Sequence, residues 1–163
     1  MREAELENAL RLAAEEVLEK MFFVQPLEEH SGGADDSGTV LSAELTFEGA
    51  PSGSLTLAVS ESAARQIAAD FLGEDEGGVS DRKVQEVVCE LANMICGSVL
   101  SRVESETTFR LAAPRLLASD ERRLLPESAD ESAVFTLELA NGSLTATVVT
   151  RNLLCPTDEK SAF

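Results

Sequence analysis

Chemistry in this chain concentrates on the stretch DRKVQEVVCELANMICGSVLSRV, which holds Glu90 and Asn93 three residues apart. Read as a helix over residues 80–104, it turns about 100° per residue. Val84, Val88, Ala92, Ile95, Val99 and Val103 then form an apolar stripe between roughly 120° and 220° from Glu90. The opposite pole, near about 340°, carries Glu86, Glu90, Asn93 and Gly97. Residues three apart are neighbours on a helix surface, so Glu90 and Asn93 stand side by side in solvent. A carboxylate can grip a cation or take a proton. A carboxamide moves no proton at neutral pH, but its oxygen can hold a water and its NH₂ can polarise an oxyanion. An amide that orients a water is a device of phosphoryl hydrolysis. The stretch has no dense carboxylate metal site and no phosphate cradle, so in such a reaction the metal and the phosphoryl group come from a partner.

Gly97 lies one turn beyond Asn93 on the same face. A glycine is about 0.5–1 kcal/mol less favourable than alanine in a helix interior. Two readings are open. The dent beside the amide lets another molecule's backbone approach, or it admits a neighbouring element of the same fold and the Glu/Asn pair is a solvated face. Met94 and Val87 flank the pole at about 40–60° and are contacts for a partner or packing for a preceding helix. Cys89 and Cys96, at about 240–260°, read as small buried hydrophobes rather than a redox pair.

The elements that position this helix read as follows. Leu6, Leu10, Ala13, Val17 and Met21 make one apolar stripe, predicting an amphipathic helix over 3–24 that stops at Pro26. A polar loop follows over 29–38. Leu41, Ala43, Leu45 and Phe47 alternate in a strand over 39–48, and Leu55, Leu57 and Val59 alternate in its hairpin partner beyond the turn at 49–53. Ser60 or Ser62 caps a short helix ending near Gly73, and 73–78 is a loop. Ser80 opens the long helix, with Asp81 in its first turn. FRLAAPRLL reads as a strand interrupted at Pro114. Val134–Ala140 and Leu144–Thr150 flank Asn141-Gly142, a hairpin turn. This order predicts an α+β fold, an antiparallel sheet with helices on one face and pseudo-repeated α-β-β units. Residues 1–155 form one domain, and 156–163 a loose tail.

Whole-chain properties narrow the function. The 163 residues include 30 Asp and Glu against 13 Lys and Arg, a net charge of −17. Phosphate binding needs clustered Lys and Arg, so nucleic acid is not the partner, and anionic membrane surfaces are disfavoured too. The acidic surface keeps the chain soluble or matches a basic partner surface. The core must be aliphatic, because the chain has no Trp or Tyr. Cys89, Cys96 and Cys155 show no framework spacing, which points to reduced thiols in the cytoplasm. The first residues lack the pattern of a signal peptide, and no stretch approaches 18 uninterrupted apolar residues. The single histidine, His30, sits in EEHSGGADDSG and leaves little room for a Ser-His-Asp triad or a His/Cys zinc site. There is no G-x-G-x-x-G and no P-loop.

The string Glu90-Leu-Ala-Asn93-Met-Ile-Cys-Gly97, in this order of elements, resembles the CheC/CheX/FliY phosphatases of bacterial chemotaxis, CheX most closely. The likeness extends over roughly residues 3–150. It implies a phosphatase acting on the phospho-aspartate of a CheY-type receiver domain. Asn93 would orient the attacking water, and Glu90 would pair with the receiver's lysine. Glu86, Met94 and Gly97 would line the partner contact. Mg²⁺ would be held by the receiver, with no cofactor bound by this chain, and the protein would be a homodimer through its sheets. CheC-type members carry two E-x-x-N helices and CheX-type members one. Glu5-Leu-Glu-Asn8 also fits E-x-x-N but lacks the glycine beyond the amide. Two further readings are a non-catalytic receiver-binding or flagellar-switch module, and a free-standing hydrolase of small phosphate esters, which the absence of converging basic residues disfavours.

Overall fold

The computed structural model describes residues 3–20, 39–103, 108–117, 131–139 and 142–151. The end of the first helix with Met21 and Pro26, the loop bearing His30, residues 118–126, Asn141, Cys155 and the tail 156–163 lie outside the described residues.

Alternating apolar residues build the sheet. β1 (Val40–Glu48) and β2 (Ser52–Ser60) pair as an antiparallel hairpin with Leu45 opposite Leu55 and Ala43 opposite Leu57. β5 (Glu131–Leu139) and β6 (Gly142–Arg151) form the second hairpin, with Leu137 opposite Leu144 and Ala133 opposite Val148. The hairpins join through β2 and β6, where Leu57 faces Ala146. Directly opposed residues share a face, so these registers place the aliphatic residues of four strands in one buried layer. β3 (Arg110–Leu111) and β4 (Arg115–Leu116) both pair with β1 and complete a sheet ordered β3-β1-β2-β6-β5. They are two pieces of one edge strand broken at Pro114, as FRLAAPRLL suggests.

Three helices pack on the apolar layer in one core. α1 (Glu3–Lys20) lies over β5, and α3 (Asp81–Ser101) lies over β1 and β2. Each long helix therefore covers the hairpin of the other α-β-β unit, α1 that of β5 and β6 and α3 that of β1 and β2, which gives the pseudo-repeat its form. α2 (Glu61–Leu72) bridges α3 and the central strands and ends in Gly73 at φ 70°, the left-handed cap that glycine favours. By length and composition α3 is apolar enough to cross a bilayer. Here nine of its residues are buried instead against the sheet and the neighbouring helices.

Two expectations are corrected. Leu139 pairs with Gly142, so Gly142 is a strand residue and not the second residue of a two-residue turn. The glycine serves a close approach: its φ is 149°, and a Cβ there would overlap Ser60 Oγ. Ser60 does precede α2, but its hydroxyl makes no cap bond. It accepts from Ser143 N at 3.1 Å, so the hydroxyl is spent on β6.

α1 and α3 are also tied by charge. Arg102, just past α3, donates from Nη2 to Glu16 Oε1 at 2.7 Å and from Nη1 to Ser98 Oγ at 2.6 Å. The Arg102 guanidinium, helped by Lys20, holds the Glu16 carboxyl below its ordinary 4.5. A depressed carboxyl contributes stability that is present above its unfolded value and lost as pH falls through the folded one. Thermal melts between pH 7 and 3 should therefore show a loss of stability beginning below about 4.5 to which Glu16 contributes. Arg102→Gln should reduce that loss while lowering stability at pH 7 slightly, as an exposed pair does.

Candidate functional site

α3 begins at a true cap. Ser80 Oγ accepts from Lys83 N at 3.2 Å, and Arg65 of α2 binds Val79 O and Asp81, fastening the first turn to α2. From there the buried residues fix the rotation of the helix about its axis. Leu91, Ala92 and Ile95 have no exposed surface, and Val84, Val88, Cys96 and Val99 are almost fully enclosed.

The buried arc is wider than the valine stripe. It takes in Val87 and Leu91 on one side and Cys96 and Leu100 on the other. The reason is that α3 meets α1 and α2 as well as the sheet. Val87 is thus core, so of its two readings, partner contact or internal packing, the packing one holds. Met94 is half-buried and packed against the core, so only part of it is offered to solvent.

The remaining arc carries the expected side chains. Glu86 and Glu90 are exposed, while Asn93 and Gly97 are half-buried. Among the described residues neither Glu90 nor Asn93 has a hydrogen-bond or ion-pair partner. Gly97 has open space beside it, since a Cβ would meet nothing within 4 Å. The reading in which this glycine admits another element of the same fold is therefore set aside. The reading of the helix face passed over Arg82, whose Nε donates to Glu86 Oε2 at 3.3 Å. The i, i+4 spacing was its signal. Arg82 offsets the repulsion between Glu86 and Glu90, themselves four apart.

Glu5 and Asn8 are exposed on α1 but differently placed. Asn8 Oδ1 accepts from Arg11 at 2.7 Å, so its carbonyl is engaged. Leu12 stands where Gly97 stands relative to Glu90, with its side chain 39% exposed. Among the described residues no three His, Cys, Asp or Glu side chains group as metal ligands. The arrangement offers an unengaged carboxylate and amide one turn apart, with clearance beside the amide.

Antiparallel strands backed by helices on one face, with E-x-x-N turned outward on the central helix, make an α+β fold of the CheX type. The profile of the family described as chemotaxis phosphatase CheX matches residues 41–138, and the chain belongs to that family. The solved chemotaxis protein CheX from Vibrio vulnificus is similar at 18% identity and TM-score 0.70, covering 93% of this chain and 99% of that one. CheX from Desulfovibrio desulfuricans is 21% identical with TM-score 0.67, covering 90% and 99%. CheX from Borrelia burgdorferi, solved in a complex with CheY, BeF3 and Mg²⁺, is 18% identical with TM-score 0.68, covering 89% and 97%. No curated protein matches the chain.

The two described cysteines are free thiols on the flank of α3. Burial pushes Cys96 up to about 12. Cys89 is raised by burial and then by the Glu86 carboxylate. Both should therefore be poor thiolates, Cys96 the poorer. In a thiol titration at pH 8, followed site by site by peptide mass mapping, Cys89 should label slowly and Cys96 only after denaturant is added.

Proposed function

We propose that this protein hydrolyses the phospho-aspartate of a CheY-type receiver domain in chemotaxis or a related two-component pathway. The observation that carries this reading is the Glu90/Asn93 pair, outward on a rigidly seated helix and with no side-chain partner among the described residues. Asn93 orients a water for in-line attack on phosphorus. The bond from phosphorus to the aspartyl oxygen breaks, releasing phosphate and a free carboxylate. Glu90 pairs with the receiver's lysine beside the phosphoryl group, a charge-assisted contact that also sets register. Mg²⁺ belongs to the receiver. Family membership and the CheX–CheY complex of the Borrelia relative support the choice of partner.

We extend the proposal to a cytoplasmic homodimer. Free Cys89 and Cys96 fit a reducing compartment. β5 ends the sheet in its described part, and an edge strand is a template for pairing with a second copy.

The test is decay of aspartyl-phosphate in a panel of phosphorylated receivers with Mg²⁺. The protein should accelerate decay in at least one. Asn93→Ala should lower kcat by on the order of 10²-fold, as loss of one oriented polar group does at such centres. Its melting should barely move, because the side chain holds no partner in the described structure. Glu90→Ala should both raise KM and lower kcat. Unchanged decay across the panel overturns the reading. Binding without acceleration, surviving Asn93→Ala, would instead identify a non-catalytic receiver-binding or switch module.

A further inference from the structure

Gly97 is a glycine for which the fold has no use. It lies inside α3, one turn before the end at Ser101, and needs no left-handed φ. Gly53 and Gly142 are different: a Cβ at Gly53 would overlap Val149 O, and one at Gly142 would overlap Ser60 Oγ. At Gly97 a Cβ meets nothing within 4 Å. Alanine would fit there and would favour the helix. The absence of a side chain thus weakens the helix with no compensation among the described residues, on the same strip as Asn93, whose side chain has no described partner.

We infer that Gly97 is where the receiver's main chain crosses α3, in van der Waals contact with the glycine Cα, and that this clearance decides which receivers bring their phosphoryl group to Asn93. The inference rests on the receiver reading above and adds the element of the partner that must pass here. Small residues let two backbones approach closely, and glycine Cα–H groups meet carbonyl oxygens at such crossings. α1 supplies the internal contrast. At the same offset from Glu5 it carries exposed Leu12, which would stand in the path of such a crossing.

The test uses Gly97→Ala and Gly97→Leu, both residues being strong helix formers, so folding is not the confounder. Binding is titrated with a CheY-type receiver loaded with BeF3 and Mg²⁺, and hydrolysis is followed with the phosphorylated receiver. Gly97→Ala should raise Tm by roughly 2–4 °C. The same change should weaken receiver binding by at least about threefold with kcat held, which reads as lost uniform binding. Gly97→Leu should weaken binding by on the order of a hundredfold, the scale of a steric clash at a packed contact. Stability and binding moving in opposite directions is the signature. Unchanged binding in Gly97→Leu overturns the inference. Wild-type binding without hydrolysis sinks the phosphatase reading alone, since the Gly97 series still reads out in affinity. A wild type that binds no receiver overturns both.

Discussion

The seating of α3 is the constraint on which everything else depends. Leu91 and Ala92 lie between Glu90 and Asn93 in sequence and have no exposed surface. A carboxylate and an amide can face out together only if the two residues between them face fully in. Rolling the helix by one residue, about 100°, would expose Leu91 and drive an unpaired carboxylate toward the sheet. Losing the burial of a leucine costs about 2–5 kcal/mol, and burying an unpaired charge costs more. The rotation of the helix is therefore held by the core, and Glu90 and Asn93 inherit that rigidity with no side-chain hydrogen bond of their own among the described residues.

Much of this was legible because it rests on periodicity. The alternation in β1, β2, β5 and β6 and the 3.6-residue repeat in α3 are direct records of burial, so the α+β order and the outward pole followed. What did not follow was set by tertiary neighbours. Val87 falls at the edge of the pole on a wheel but is buried, because α3 is flanked by helices as well as backed by the sheet. Asn141-Gly142 has the composition of a turn, yet Gly142 is needed for contact with Ser60, remote in sequence. The hydroxyl of Ser60 has the chemistry of a cap and is claimed by Ser143. Each departure is a local signal overruled by a contact between distant segments, which no window of sequence contains.

The pseudo-repeat sets two E-x-x-N pairs side by side and shows that they are not equivalent. α1 and α3 occupy related positions, each over the hairpin of the other α-β-β unit, and both turn a Glu/Asn pair outward. On α3 the amide has no internal partner among the described residues and has open space a turn further on. On α1 the amide oxygen already accepts from Arg11 and an exposed leucine stands beside it. A motif of two residues thus specifies little by itself. What distinguishes the helices is whether the amide's acceptor is unengaged and whether a partner can reach it.

An amide and a carboxylate are a sparse set of tools for hydrolysis, and the sparseness has a physical logic. Oriented water attack needs positioned groups and charge neutralisation around phosphorus. A receiver that carries a phospho-aspartate already holds the phosphoryl group and its metal. The second protein then has only to add what is missing, a fixed water ligand and a counter-charge for register. Such groups gain nothing from their own fold, so they must be placed on an element whose position is set by something else. A helix buried on three sides, whose Glu90 and Asn93 side chains have no partner among the described residues, meets that requirement. On the proposed reading the same logic makes the site invisible to searches for metal clusters, histidine triads or perturbed carboxylates, because its reactive centre would exist only when two proteins meet.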